Sequence, residues 1–114
     1  VKNAHDEFTT GAGQAYPGNR LPTFAGTHEA VGHAAAYPVG LPAFLTRLYT
    51  DAGDVVYDPF CGSGSTLLAA RHTGRIGYGI ELSPAYCDMI CRRWHRATGD
   101  IPTRPDGTPH PDLT

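Results

Sequence analysis

Apolar positions fall in four stretches of the chain, and their spacing differs from one to the next. Leu41, Phe44, Leu45, Leu48 and Ala52 recur at i, i+3, i+4, i+7 and i+11, the repeat of one helical face. Pro42 suits the first turn of that helix and Gly53 its end. Its apolar stripe is expected to lie on a sheet, with Arg47 facing water. Residues 54–57 then read as a buried strand, and Leu67-Leu68-Ala69-Ala70 falls within a helix over 64–73 that stops at Gly74. A second strand covers 76–81. A helical crossover of this length makes the two strands parallel, with a right-handed connection. Ser83 and Pro84 then look like the N-cap and first residue of a last helix. In it Cys87, Ile90, Cys91, Trp94 and Ala97 mark a core face of about four turns running to Gly99.

The flanks lack such periods. Residues 1–27 carry turn material, Thr9-Thr10-Gly11-Ala12-Gly13 and Tyr16-Pro17-Gly18-Asn19, and read as an irregular arm or a disordered tail. Beyond Gly99, Pro102, Pro105 and Pro109 mark a turn-rich extension with a short hairpin around Asp106-Gly107. The pattern therefore divides into an arm (1–27), an α/β unit (28–99) and a C-terminal extension (100–114). The fold class is α/β: a partial Rossmann-like arrangement of parallel strands with flanking helices.

Composition narrows the options. A chain of 114 residues with net charge −2 is one small domain with no global basic field for nucleic acid. Three cysteines in no metal-type spacing fit a reducing cytoplasm better than a disulfide scaffold. No apolar run reaches transmembrane length and no signal peptide is visible, so a cytoplasmic location without membrane partners is expected. The start at Val1, without Met, suggests an excised piece, a truncated reading frame or a trimmed start. His28, Glu29 and His33 are spaced one residue too far apart for a helical zinc motif, and no metal site is expected. Cys87 and Cys91 suit core packing better than redox chemistry. Arg92, Arg93 and Arg96 form a solvated basic strip, with a phosphate contact as the alternative.

The chemistry concentrates in Val55-Val56-Tyr57-Asp58-Pro59-Phe60-Cys61-Gly62-Ser63-Gly64. A strand, a glycine turn and a helix in that order bring backbone N–H groups close to a bound nucleotide. Gly62 and Gly64 lack Cβ and admit the ligand to the main chain. Glu81 ends the next strand, roughly 20 residues on, where such units place their ribose-hydroxyl acceptor. A dinucleotide site would place no acid against the pyrophosphate, and here Asp58 stands at the strand tip and Leu67 replaces the third glycine. A carboxylate in that place repels phosphate and attracts an ammonium or sulfonium centre. The expected cofactor is S-adenosyl-L-methionine rather than NAD.

Three segments together resemble a known family. His33-Ala-Ala-Ala-Tyr-Pro-Val-Gly-Leu-Pro-Ala-Phe-Leu, Asp58-Pro-Phe-Cys-Gly-Ser-Gly-Ser-Thr and Gly79-Ile-Glu-Leu-Ser-Pro-Ala-Tyr resemble the C-terminal part of the β-group DNA amino-methyltransferases over roughly residues 26–100. The similarity is to bacterial and phage enzymes in particular, whose last helix also carries an Arg-Trp pair. The resemblance implies methyl transfer from S-adenosylmethionine to N6 of adenine or N4 of cytosine in DNA, in restriction-modification or in a phage. It implies that Asp58 faces the methionine amino group, that Pro59, Phe60, Cys61, Gly62, Ser63 and Gly64 wrap methionine and ribose, and that Glu81 takes the ribose hydroxyls. Leu82 would line the adenine, and His33, Ala34, Ala35 and Tyr37 would close over the methionine end. Ala34 replaces a frequent proline, and Cys61 a usual alanine or glycine.

The family's catalytic tetrapeptide, an Asp, Asn or Ser followed by Pro-Pro and an aromatic residue, is missing, since no Pro-Pro occurs in the chain. In this group it precedes the His-containing segment and is expected upstream of Val1, where it would hold a flipped-out base. No catalytic residue is therefore assigned. The chain is expected to hold the methyl donor and to work beside a missing N-terminal catalytic half or a second copy of itself, reaching DNA through the complete enzyme. A non-catalytic remnant or regulatory fragment is the alternative, and an NAD enzyme a third reading.

Overall fold

In this computed structural model the described residues are 9–10, 13–14 and 37–113. Two short strands, β1 (Thr9–Thr10) and β2 (Gly13–Gln14), pair antiparallel within the arm, where the sequence reading expected turn material alone.

The α/β unit runs α1 (Gly40–Tyr49), β3 (Val55–Asp58), α2 (Ser65–His72), β4 (Ile76–Gly79) and α3 (Pro84–Thr98). As the helical crossover requires, β3 and β4 are parallel, with Val55 beside Ile76, Tyr57 beside Tyr78 and Asp58 beside Gly79. α2 packs on this two-stranded sheet. Gly77 makes close approach possible, since a Cβ there would sit 3.2 Å from both Ala70 and Leu67 side-chain carbons. Ala69 and Ala70 are fully buried in this interface region, with Leu68 beside them in the core.

Three expectations change. α1 ends at Thr50 rather than Gly53, and its principal contact is α2 instead of the sheet. Arg47 is half-buried, and Leu45 of the apolar stripe is exposed. The predicted buried strand is open: Val55 and Tyr57 are exposed, as is every residue of β4. Successive strand residues point to opposite faces, and α2 covers one face only. With no further strand or helix among the described residues against the other face, Val55, Tyr57, Ile76 and Tyr78 stand in solvent.

The third change concerns α3. Its start is as expected, with Ser83 in extended conformation before Pro84, although the Ser83 side chain makes no capping bond. Gly99 ends it in the left-handed region. The stripe through Cys87, Ile90, Cys91 and Trp94 is half-buried, Ala97 is exposed, and the buried residue of the helix is Arg93. Beyond α3, Arg104 N–H donates to Thr108 O and Gly107 N–H to Arg104 O, closing the short turn around Asp106-Gly107. Among the described residues no helix is long and apolar enough to cross a membrane.

Candidate functional site

The site is assembled at the C-terminal ends of β3 and β4. Asp58 closes the loop start on itself: Phe60 N–H donates to its Oδ1 at 2.9 Å, and its second carboxylate oxygen has no partner among the described residues. The Asp58 carbonyl takes Ile80 N–H at 3.0 Å, and the Ile80 carbonyl takes Cys61 N–H at 3.0 Å. These two bonds zip the strand tips together beyond the regular ladder.

Glu81 ties the other side. Its Oε2 accepts Gly62 N–H and its Oε1 accepts Ser83 N–H, both at 2.8 Å. Two backbone amides held by one carboxylate are charge-assisted bonds that fix the glycine turn and the α3 entry to the same anchor. A carboxylate has lone pairs for about four such bonds, so this duty does not bar it from accepting a hydroxyl. Glu81 therefore has a structural duty that sequence spacing alone did not reveal.

The turn is folded by its glycines. Gly62 and Gly64 have φ of 53° and 82°, in the left-handed region. A Cβ on Gly64 would also press within 2.9 Å of the Ile90 side chain, so α3 lies tight against the turn. Cys61 is buried beneath it, and its Sγ occupies the space a Cβ on Gly79 would need. Burial, reinforced by the neighbouring Asp58 and Glu81 carboxylates, pushes the Cys61 thiol up to about 11. At neutral pH it is a protonated thiol packed beneath the turn.

The predicted residues are not all in one place. A cleft of about 430 Å³ at the free edge of β3, walled by α1, collects Tyr37, Asp58 and Thr66. Glu81, Phe60 and Leu82 lie outside its walls. Phe60 and Leu82 are bare, 86% and 95% exposed, and flank the turn as uncovered apolar surfaces. Pro59 is exposed, Ser63 is buried and Gly62 half-buried. His33, Ala34 and Ala35 lie outside the described residues, as do His28 and Glu29.

Residues that the sequence reading passed over complete the scaffold. Ser65 donates to the Tyr37 carbonyl at 2.9 Å, and the Tyr37 and Thr66 hydroxyls meet at 3.0 Å. Arg93 reaches under the turn and donates from Nη1 to the Ser63 carbonyl and to Ser65 Oγ. Of the three arginines assigned to a solvated strip, Arg92 pairs with Asp112 at an exposed site and Arg96 is exposed, but Arg93 is buried. Arg93 follows Ile90 by three residues, on the side of α3 that lies against Gly64, a placement that no feature of the sequence marks. No group of three metal-ligating side chains occurs among the described residues.

Parallel strands, a glycine turn into a helix, and an acid at or just beyond each strand end make a partial Rossmann-like unit. The chain belongs to the N6_N4_Mtase family of DNA methylases, whose profile matches residues 11–92. It is 40% identical over 60 residues to the type II beta methyltransferase M.BslI of Bacillus sp. (strain NEB-606), covering 52% of this chain and 7% of that protein. TTHA0409 of Thermus thermophilus, assigned as a DNA modification methylase and solved with S-adenosyl-L-methionine, superposes with a TM-score of 0.52 at 43% identity, over 54% of this chain and 26% of that one. The M1.HpyAVI complex with the same cofactor gives 0.61 at 28% identity, over 75% and 42%. The chain thus spans less than half of each of these proteins.

Proposed function

We propose that this chain is the cofactor-binding portion of a DNA methyltransferase that transfers a methyl group from S-adenosylmethionine to the exocyclic amine of adenine or cytosine. The observation that carries the reading is the joined pair of acids: Asp58 ends β3, Glu81 lies two residues beyond the end of β4, and Glu81 grips the Gly62 amide of the turn. The residues fit the group. Asp58 offers a carboxylate oxygen to an ammonium, the Glu81 carboxylate can accept hydroxyls, and Leu82 offers bare apolar surface for a base. When bound, the cofactor supplies an electrophilic methyl on a sulfonium.

This chain's own contribution is positioning. Pro59, Phe60, Cys61, Gly62, Ser63 and Gly64 shape the wall around methionine and ribose, with Glu81 on the ribose and Leu82 on the base. His33, Ala34, Ala35 and Tyr37 close the methionine end. Holding the donor in one orientation lowers the barrier through preorganised geometry. The proposed acceptor is DNA, presented by the complete enzyme in the cytoplasm of a bacterium or in phage infection. The missing half of that enzyme, or a second copy of the chain, supplies the remaining contacts.

Isothermal titration calorimetry with S-adenosylmethionine, with NAD as control, tests the cofactor assignment. Saturable heat with the first alone is expected. Binding of NAD in its place would overturn the assignment.

A further inference from the structure

Arg93 is the most deeply placed cation of the described unit, 9% exposed, and it comes from a different element than the turn it serves. Its guanidinium reaches the main-chain carbonyl of Ser63, between the two left-handed glycines, and the hydroxyl of Ser65 at the start of α2. Ser65 Oγ in turn donates to the Tyr37 carbonyl, and the Tyr37 ring hydroxyl returns to Thr66. One buried cation thus joins α3, the far limb of the glycine turn, the start of α2 and the segment leading into α1. The near limb is held from the opposite side, by Glu81 on Gly62 N–H.

A turn with positive φ at both glycines has alternatives open to it, because glycine visits many backbone conformations at similar energy. Two anchors of opposite charge, one on the Gly62 amide and one on the carbonyl of the next residue, remove that freedom. Guanidinium suits the second anchor because it stays charged, and its Nη1 serves both acceptors. We propose that Arg93 is a positioning residue for the cofactor turn: it fixes the Ser63 carbonyl and Ser65, and through them the Tyr37 segment, in the arrangement that receives the methyl donor. The proposal rests on the reading of this turn as an S-adenosylmethionine site.

The test is calorimetric titration of the 114-residue chain with S-adenosylmethionine, well below the melting temperature of each variant. The wild type comes first, since a wild type that fails to bind overturns the cofactor reading itself and the proposal with it. Given wild-type binding, R93M, which keeps an apolar stem without donors, is expected to bind at least about tenfold more weakly. R93K restores a single charged donor nitrogen and is expected to recover part of that loss. L68A supplies the structural control: it empties core volume under α2, lowers the melting temperature and is expected to leave affinity within twofold. R93M binding like the wild type, or L68A losing as much affinity as R93M, would overturn the positioning role. Should R93M not fold, R93K alone decides: several-fold weaker binding supports the role, and wild-type affinity refutes it.

Discussion

The glycine turn and the outer face of the sheet are built from the same two strands yet sit in opposite surroundings. At the turn, Cys61, Ser63 and Ser65 are buried and their polar groups are bonded to Asp58, Arg93 and Tyr37. On the outer face, Val55, Tyr57, Ile76 and Tyr78 are apolar and exposed. Ordinary domains reverse this, burying strand side chains and leaving turns in water. The difference shows where this chain buries its residues: the turn shares the interior with the α1–α2 contact, while the sheet offers a bare apolar surface of the sort another protein layer covers.

The largest expected effect breaks the turn from below. Gly79→Ala places a Cβ where Cys61 Sγ already lies, so one strand tip must move. Overpacking of this kind costs about 1–3 kcal/mol or more. Urea unfolding should show it, and Cys61→Ala in the same chain should restore much of the loss. Additive losses in the double variant would mean the two sites do not share that space.

Next come the two acids, which separate binding from architecture. Asp58→Ala and Glu81→Ala should each weaken S-adenosylmethionine binding by about 1–3 kcal/mol, the scale of a lost charged hydrogen bond. Glu81→Ala should lower the stability of the free protein more than Asp58→Ala, because it strips two amides, Gly62 and Ser83, of their acceptor, where Asp58→Ala strips Phe60 alone. Equal melting curves for the two variants would deny Glu81 its anchoring role.

A smaller effect follows from the Cys61 thiol. Burial holds its pKa near 11 against 9.0 for a free thiol. The neutral form is the one the fold favours, so the unfolded chain ionises first. Stability from this group is constant below the free-thiol value and falls as pH rises from about 9 toward 11. Alkylation at pH 8 should correspondingly spare Cys61 in the folded chain. Rapid modification there would show that the turn opens readily.

The smallest effect is expected on the open face. Tyr57→Lys and Tyr78→Lys should each change stability by less than about 0.5 kcal/mol, as for surface positions generally. Light scattering should meanwhile show less self-association than the wild type. A large loss of stability would mean that this face is covered in solution.

Much of the plan was legible because it rests on local rules. Strand, glycine turn and helix follow from apolar runs and residues that permit positive φ, and Pro84 and Gly99 bracket α3 without reference to the rest of the chain. Parallel pairing followed from the helical crossover, and the pair of acids from their spacing along it. Burial was not legible in the same way. A strand reads as buried from its apolar content, but exposure depends on how many layers the chain supplies, and among the described residues only α2 covers the sheet.

The sequence by itself determined the order of elements in the α/β unit, the turn and the pair of acids beside it, since each depends on residues close together in the chain. Only the tertiary structure decided that Glu81 holds Gly62, that Cys61 fills the space left by Gly79, and that Arg93 leaves its basic neighbours to lie under the turn. Those are contacts between residues 18 to 30 positions apart. A helical arginine carries no mark of its partner, because the choice between water and a buried carbonyl is made by whatever surface packs against its face.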